Sequence, residues 1–245
     1  MSDSWYEQAS EAISSGRLDG LGTLLSEEPD GASRRAENGT TLLHVAAESG
    51  RVDAIDLLLE HGADLEAEAE WGHTAFEWAA NMNQREAALH LRARGAGRAN
   101  VWLSAALGLL DEVMGFFVDG TLRSGAGRAP RPGARLDGWP EDGAFRSGDA
   151  LADALYIACR NGHLDVARFL REQGADVEAI GYFGARAIHW AAGQGHGDVV
   201  DWLIDEGADP TRRDPKFDGT ASGWAREFGH EALATRLASA HSGDV

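Results

Sequence analysis

The sequence is poor in cysteine and in long apolar runs, and each scarcity excludes a class of protein. A single cysteine, Cys159, cannot form an internal disulfide, which indicates a reducing compartment. The longest nearly apolar run, residues 101–110, falls far short of the ~20 residues that cross a bilayer. The opening residues, MSDSWYEQ, have neither the basic patch nor the apolar segment of a secretory signal. We therefore expect a soluble cytoplasmic protein.

Positive charge is also scarce. The 245 residues include 22 Lys and Arg against 40 Asp and Glu, which gives a formal net charge of −18. Such a charge repels the phosphate backbone of nucleic acids and the surface of anionic membranes. We therefore expect no nucleic-acid partner and no membrane partner.

What the chain has in abundance is internal repetition. Similar segments surround seven positions, which are spaced by 33 or 34 residues apart from one step of 25 and one of 54. Self-similarity of this period is typical of repeat architectures built from stacked helix pairs. The seven positions are Gly16, Gly50, Asn83, Gly108, Gly162, Gly195 and Gly229.

The second copy shows the physical role of each part of the unit. Thr41 can cap a first helix, Gly50 allows a left-handed turn, and Gly62 ends a second helix. One unit cannot bury its own apolar residues, so its stability must come from its neighbours. The predicted fold class is an all-α solenoid of about seven helix-turn-helix repeats with one long irregular insert. The apolar stripe of the second helix contains Val52, Ile55, Leu58 and Leu59.

These segments resemble the ankyrin repeat, whose consensus runs G-x-T-P-L-H-x-A-A, then G-H, a leucine-rich helix and G-A-D. Residues 38–70 and 183–214 carry most of these letters, although no copy has the consensus proline. Glu77 and Tyr156 replace the usual histidine, and Asn83 replaces a glycine. The resemblance implies a scaffold that recognises a protein partner through its concave face. The segment RDPKFDGTASGWA is similar to bacterial members of the family.

The two irregular steps divide the chain. The step of 25 residues predicts that the third copy lacks its projecting finger, and the step of 54 residues adds an insert. From 121 to 148 the chain has six glycines, three prolines and five arginines, a composition that disfavours helix and strand. The predicted organisation is one continuous solenoid domain with repeats 1–4 in 1–118, the insert in 119–148 and repeats 5–7 in 149–245.

Most histidines have a position in the repeat. The resemblance implies that His44 and His189 bond the backbone between repeats. His73 precedes a helix start near Glu77, where the two side chains could act as acid and base. The alternative is a solvated turn histidine beside a helix-start carboxylate. Because no catalytic set, phosphate-binding loop or metal-ligand spacing is complete, we expect no cofactor and no metal, and enzymatic activity is not favoured.

Aromatic residues divide into two groups. Trp78, Trp190 and Trp224 share the helix register of Val45, which predicts core packing. Aromatic residues on turns are candidates for the anchors of a binding surface. The predicted binding residues, taken from the concave positions that vary in the family and from the insert, are Glu37, Trp71, His73, Asn81, Met82, Trp139, Arg160, Asn161, Tyr182, Phe183, Gln194, Phe217, Glu227 and Phe228.

A second function stays open at this point. The insert could cover the notch left by the missing finger and so enclose a pocket, as small-molecule sites require. The chain would then be a small-molecule-binding protein or a cofactor-independent enzyme in which His73 and Glu77 transfer protons.

Overall fold

The computed structural model describes residues 4–70, 72–127, 150–181 and 184–240, which form fourteen α-helices in seven successive pairs. The described residues fall into two compact units, with the boundary between Arg98 and Ala99. The first unit contains α1 (Ser4–Ser14), α2 (Leu18–Glu27), a 3-10 turn (Gly31–Ser33), α3 (Leu42–Glu48), α4 (Val52–Glu60), α5 (Ala75–Asn81) and α6 (Arg85–Ala93).

The second unit contains the remaining four helix pairs and a small hairpin. Its elements are α7 (Val101–Ala106), α8 (Leu110–Gly115), β1 (Phe117–Val118), β2 (Thr121–Leu122), α9 (Ala150–Arg160), α10 (Leu164–Glu172), α11 (Ala187–Gly193), α12 (Gly197–Asp205), α13 (Ala221–Glu227) and α14 (Glu231–Ala240). Each described helix is too short or too polar to cross a lipid bilayer.

First helices pack on first helices within each unit. In the first unit α3 lies between α1 and α5, and in the second unit α7, α9, α11 and α13 follow one another in the same way. Small residues such as Ala46, Ala47, Ala191 and Ala192 are buried at these contacts, which lets the helices approach closely. The predicted all-α repeat architecture is confirmed, while the single continuous domain stays a prediction.

The repeat frame correctly places the turn inside every helix pair. All seven predicted positions have a positive φ, in the left-handed region that glycine adopts without steric cost. The angles are 75° at Gly16, 66° at Gly50, 58° at Asn83, 65° at Gly108, 80° at Gly162, 77° at Gly195 and 86° at Gly229.

Three of these glycines have a second reason to lack a side chain. A Cβ added to Gly195 would lie 2.6 Å from the imidazole of His230, and one added to Gly162 would lie 2.7 Å from that of His196. Gly108 meets His163 in the same way, at 2.6 Å. In the second unit, therefore, the three histidines that directly follow a turn glycine, His163, His196 and His230, each pack on the turn glycine of the preceding repeat.

Histidines at the consensus position connect successive repeats, as the resemblance implies. The Nε2 of His44 lies 2.9 Å from the carbonyl oxygen of His73, and the Nε2 of His189 lies 2.9 Å from that of Arg212. Because a carbonyl oxygen can only accept, the Nε2 atom carries the proton in both rings. The other ring nitrogen of His189 accepts from the backbone N–H of Arg186. Each neutral imidazole thus bonds two backbone groups.

The described start of the insert is not irregular, and this corrects the prediction for residues 119–148. Phe117 and Val118 pair with Leu122 and Thr121 in an antiparallel hairpin whose turn is Asp119-Gly120, with φ of 49° and 72°. Two consecutive residues with positive φ match the right-handed twist of a two-stranded hairpin. The chain then returns to α7, where the Val101 N–H donates to the Ala126 carbonyl at 2.8 Å.

Three of the fingers that precede first helices are each closed by an isolated bridge at the base. The bridges join Arg35 to Thr41, Glu68 to Thr74 and Ile180 to Arg186. Residues 94–100, which join α6 to α7 and are all described, form no such bridge. This short connection agrees with the missing finger predicted from the step of 25 residues.

The buried histidines predict a loss of stability in mild acid. Burial lowers the pKa of His44, of His189 and of His196 below the ordinary value of about 6.5. The unfolded chain therefore binds more protons near pH 6, and stability falls as the pH is lowered through 6.5. We expect the melting temperature, followed by circular dichroism, to drop between pH 7.5 and 5.5.

A double variant separates these histidines from the carboxylates, which also titrate at low pH. In H44Q/H189Q the glutamine amide can still donate a hydrogen bond, but it takes up no proton. We expect this variant to be less stable than the parent at pH 7.5 and to lose less stability between pH 7.5 and 5.5. Equal losses in parent and variant would mean that these two histidines do not carry the pH dependence.

Candidate functional site

Four predicted binding residues lie outside the described residues. They are Trp71, Trp139, Tyr182 and Phe183. The hypothesis of a pocket under the insert depends largely on residues 128–148, which are outside the described ranges as well. The candidate site is therefore assessed from the predicted binding residues that lie within the described ranges.

Four other predicted binding residues, His73, Asn81, Arg160 and Asn161, are buried. Their assignment to an open surface needs correction, because their side chains lie within the repeat stack. Asn161 donates from Nδ2 to the carbonyl oxygen of Ala106 at 2.9 Å and so joins two repeats. The guanidinium of Arg160 lies 4.9 Å from the centre of the Trp190 ring. In these positions the four side chains expose little surface to a partner.

The pair considered for proton transfer has structural contacts. Glu77 Oε2 accepts the backbone N–H of Thr74 at 3.0 Å, and the Thr74 hydroxyl faces the Glu77 N–H in return, so the two residues form a capping box for α5. The His73 ring packs edge-on against Trp78, with 5.9 Å between ring centres. His73 is buried, so the alternative of a solvated turn histidine is wrong.

The remaining candidates are more accessible. Met82 is half-buried, and Glu37, Gln194, Phe217, Glu227 and Phe228 are exposed. The last four of these belong to the second unit, and two of them are aromatic. Phe217 is 59% exposed and Phe228 is 51% exposed, the highest fractions among the large apolar side chains that the structure describes.

Phe217 and Phe228 are joined through a third ring that is buried. The Trp224 ring lies 5.8 Å from Phe217 in an edge-on arrangement and 5.9 Å from Phe228 in a stacked one. Trp190 packs on Trp224 at 4.9 Å. We call Trp190, Phe217, Trp224 and Phe228 the aromatic surface. Its rings contact one another with the spacing that favours aromatic pairs.

A glycine in α11 lets two rings of the aromatic surface approach the helix closely. A Cβ added to Gly193 would meet Trp224 at 3.3 Å and Phe228 at 3.4 Å. The two rings therefore pack directly on the backbone of the preceding repeat.

One buried carboxylate holds the finger that carries Phe217. Asp214 is 1% exposed, and its Oδ1 accepts the backbone N–H groups of Lys216 and Phe217 at 3.0 and 2.7 Å. Its Oδ2 accepts the Gly219 N–H at 2.9 Å and the Trp224 indole N–H at 2.8 Å. Asp214 thus fixes the backbone beside one ring of the aromatic surface and the side chain of another.

Hydrogen bonding keeps Asp214 ionised. Burial raises the pKa of its carboxyl, but the bonds from Phe217, Trp224, Gly219 and Lys216 together lower it by more. The resulting pKa lies below the usual range for aspartate, so the carboxylate is charged at neutral pH. A charged acceptor makes stronger hydrogen bonds than a neutral one.

A charged side chain lies over one exposed ring, and another charged residue directly precedes the second ring in the sequence. The Lys216 ammonium is 5.3 Å from the centre of the Phe217 ring, as in a cation–π contact. At the other end, Glu227 directly precedes Phe228 and is exposed, with no ion-pair partner among the described residues.

Sequence reasoning identified the two exposed rings but not the two tryptophan rings that pack with them. Trp78, Trp190 and Trp224 were expected in the core, yet only Trp224 is buried, while Trp78 and Trp190 are half-buried. Val45, which occupies the same helix position in the second repeat, is also half-buried. This helix position therefore lies at the edge of the stack. The sequence signal that could have revealed this packing is Gly193, because it lies inside a first helix, where no turn requires a glycine.

The described residues offer no metal site. Within residues 4–70, 72–127, 150–181 and 184–240, no three His, Cys, Asp or Glu side chains are grouped as metal ligands would be.

Comparison with known proteins identifies the repeat. The family model for ankyrin repeats (3 copies) matches residues 9–101 and 145–214, well over half of the chain. Among solved structures, the chain is similar to the human ASB11 ankyrin repeat domain at 22% identity and a TM-score of 0.46, over 94% of this chain and 96% of that chain. No curated protein sequence matches the chain.

Proposed function

Because the chain belongs to the ankyrin-repeat family, we propose that it binds a protein partner through the aromatic surface of its second unit. Ankyrin repeats are generally scaffolds for protein–protein interaction. The observation that carries the proposal is the exposure of Phe217 and Phe228, 59% and 51%, in rings already packed on Trp224. Aromatic side chains of this kind are enriched among the residues that dominate binding energy.

The rigidity of the surface supports the same proposal. Phe217 extends from a finger whose backbone donates to Asp214, and Phe228 is stacked on Trp224. Side chains that are already ordered lose little conformational entropy when a partner binds. The other large apolar side chains with high exposure, Met114, Val118 and Ile180, are not part of this ring cluster and serve as controls.

The sequence also supports two proposals about where the protein acts. We propose that the protein acts in the cytoplasm, because its one cysteine, Cys159, cannot form an internal disulfide and is buried as a packed thiol. We further propose a bacterial source, from the similarity of residues 213–225 to bacterial members of the family.

The proposed function is tested by selecting peptides on the full chain. A phage-displayed library of random peptides is selected on the parent, and the affinity of enriched peptides is measured by fluorescence anisotropy. We expect F217S/F228S to lower their affinity at least tenfold, because each ring contributes on the order of 1–2 kcal/mol to such interfaces. Circular dichroism checks that the variant stays folded.

The matched control is M114S/V118S, which removes two side chains of similar exposure, 48% and 50%, from another part of the second unit. We expect this control to bind the same peptides with the parent affinity. If the library yields no binder, or if its binders are insensitive to F217S/F228S, the aromatic surface is not the binding site.

A further inference from the structure

The finger between α2 and α3 contains an exposed asparagine that is directly followed by glycine. Of the five asparagines in the sequence, only Asn38 and Asn161 precede a glycine. The carboxamide of an asparagine is open to attack by the backbone nitrogen of the next residue, and this attack is least hindered when that residue has no side chain. These two positions are therefore the candidates for spontaneous deamidation.

The carboxamide of Asn38 is held in place by two donors. Its Oδ1 accepts the backbone N–H of Thr40 at 3.2 Å and the hydroxyl of Thr40 at 2.7 Å. Donors aimed at a carbonyl oxygen stabilise the negative charge that develops there when a nucleophile adds to the carbon. Because Asn38 is exposed, the nitrogen that leaves in such a reaction is open to water.

One hydrogen bond restrains the nucleophile. The Gly39 N–H donates to the carbonyl oxygen of Ala36 at 2.9 Å, and this bond must open before the Gly39 nitrogen attacks. Hydrogen bonds in an exposed turn open more readily than those of the core. We therefore expect the folded finger to slow the reaction without preventing it.

The second Asn-Gly pair is protected by the repeat stack. Asn161 is 4% exposed, and its Nδ2, the group that would have to leave, donates to the carbonyl oxygen of Ala106 at 2.9 Å. The Gly162 N–H donates to the carbonyl oxygen of Cys159 at 3.3 Å. Deamidation at Asn161 therefore requires the repeats to separate locally.

From this contrast we propose that Asn38 is a deamidation site. The Gly39 nitrogen attacks Cγ of Asn38, the Cγ–Nδ2 bond breaks, and ammonia leaves with the proton of the Gly39 N–H. Water then opens the cyclic imide at either of its carbonyl carbons, which gives aspartate or isoaspartate. The net reaction consumes water and releases ammonia, and it needs no other reactant.

The isoaspartate product changes the contact between two neighbouring fingers. The carbonyl oxygen of Asn38 accepts the backbone N–H of Glu70 at 3.0 Å, and a Cβ added to Gly39 would lie 3.1 Å from the same Glu70 nitrogen. In isoaspartate the chain runs through Cγ, and this carbonyl becomes part of a free carboxylate. The finger, which already carries the exposed Glu37, gains a negative charge, and its bond to Glu70 is lost.

The test incubates the full chain at neutral pH and follows each asparagine by proteolysis and mass spectrometry. We expect Asn38 to deamidate at least about tenfold faster than Asn161. In concentrated urea, where neither residue is protected, the two rates should converge. The rate at Asn38 should also rise with pH, because the Gly39 nitrogen attacks after it has lost its proton.

Two variants test the role of Thr40 and the effect on the fingers. T40A removes the hydroxyl donor but keeps the backbone N–H, so we expect deamidation at Asn38 to slow about threefold. Hydrogen exchange at the Glu70 amide should be faster in the aged parent than in the fresh parent. N38S has no carboxamide at this position, so ageing should leave exchange at Glu70 unchanged.

Three outcomes count against the proposal. Asn38 that keeps its amide in the folded chain, or that deamidates no faster than Asn161, overturns it. A rate in T40A that equals or exceeds that of the parent overturns the role assigned to Thr40. Exchange at Glu70 that changes equally in the aged parent and in aged N38S overturns the effect on the contact between the fingers.

Discussion

Replacing Gly195 with valine is expected to lower the free energy of unfolding by about 2–4 kcal/mol. Gly195 has a φ of 77°, a conformation that strongly disfavours a β-branched residue. Its new side chain would also collide with the imidazole of His230, which lies 2.6 Å from the position of an added Cβ. The strain in the turn and the displacement of the next repeat therefore both lower the free energy of unfolding. Urea unfolding followed by circular dichroism measures the loss.

Gly229→Val separates the two contributions. Gly229 has a similar φ of 86°, but a Cβ there would meet nothing within 4 Å. We expect this variant to lose only the strain, about 1–3 kcal/mol, and so to be more stable than G195V. If G195V unfolds at the parent's urea concentration, the assigned frame of the sixth repeat is wrong. Equal losses in the two variants would mean that the contact with His230 costs nothing.

Replacing Asp214 with alanine is expected to cost about 3 kcal/mol of stability and to weaken binding at the aromatic surface. The substitution removes the acceptor of three backbone N–H groups in the finger and of the Trp224 indole N–H in α13. Buried donors left without an acceptor carry their full desolvation cost. The Phe217 ring would also lose the backbone that positions it.

Asp218→Asn is the matched control, since Asp218 lies in the same finger but is 82% exposed in its side chain, and asparagine tolerates its φ of 53°. Its ion pair with Arg213 is a surface pair, so we expect a change below about 1 kcal/mol. Urea unfolding of both variants, with binding of a selected peptide, gives the comparison. A D214A chain as stable as D218N would show that the carboxylate does not hold the finger.

The repeat explains why much of the fold could be predicted. A turn between packed helices needs a left-handed residue, and this requirement recurs at every copy, so Gly50 and Gly195 mark turns wherever the frame places them. The resemblance to the ankyrin repeat implied that His44 and His189 bond the backbone between repeats, and both do so. These features are local and periodic, and they can be read without coordinates.

Burial could not be predicted in the same way, because it depends on the neighbouring repeat. Asn161 occupies a position that varies in the family, yet it bonds the carbonyl of Ala106 in another repeat. Arg160 is covered by Trp190. The alternation of exposed and buried positions along one helix does not reveal which side chain the adjacent copy presents.

The hairpin after α8 had a sequence signal that the composition of the insert concealed. Asp119-Gly120 between Phe117-Val118 and Thr121-Leu122 is a strong pattern for a two-residue turn. The glycines and prolines that follow led to a prediction of irregular structure throughout. The aromatic surface, in contrast, combines side chains from a finger and two helices, Phe217, Trp190 and Phe228, and only the fold brings these together.

Hydrogen–deuterium exchange of the full chain, with and without a peptide selected on it, tests the central claim most directly. We expect the bound peptide to slow exchange in residues 214–228, the segment that contains Phe217, Trp224 and Phe228. The hairpin at 117–122 and the finger at 35–41 should exchange as they do in the free protein. Protection confined to either of those segments, with 214–228 unchanged, would contradict the proposal that the aromatic surface binds the partner.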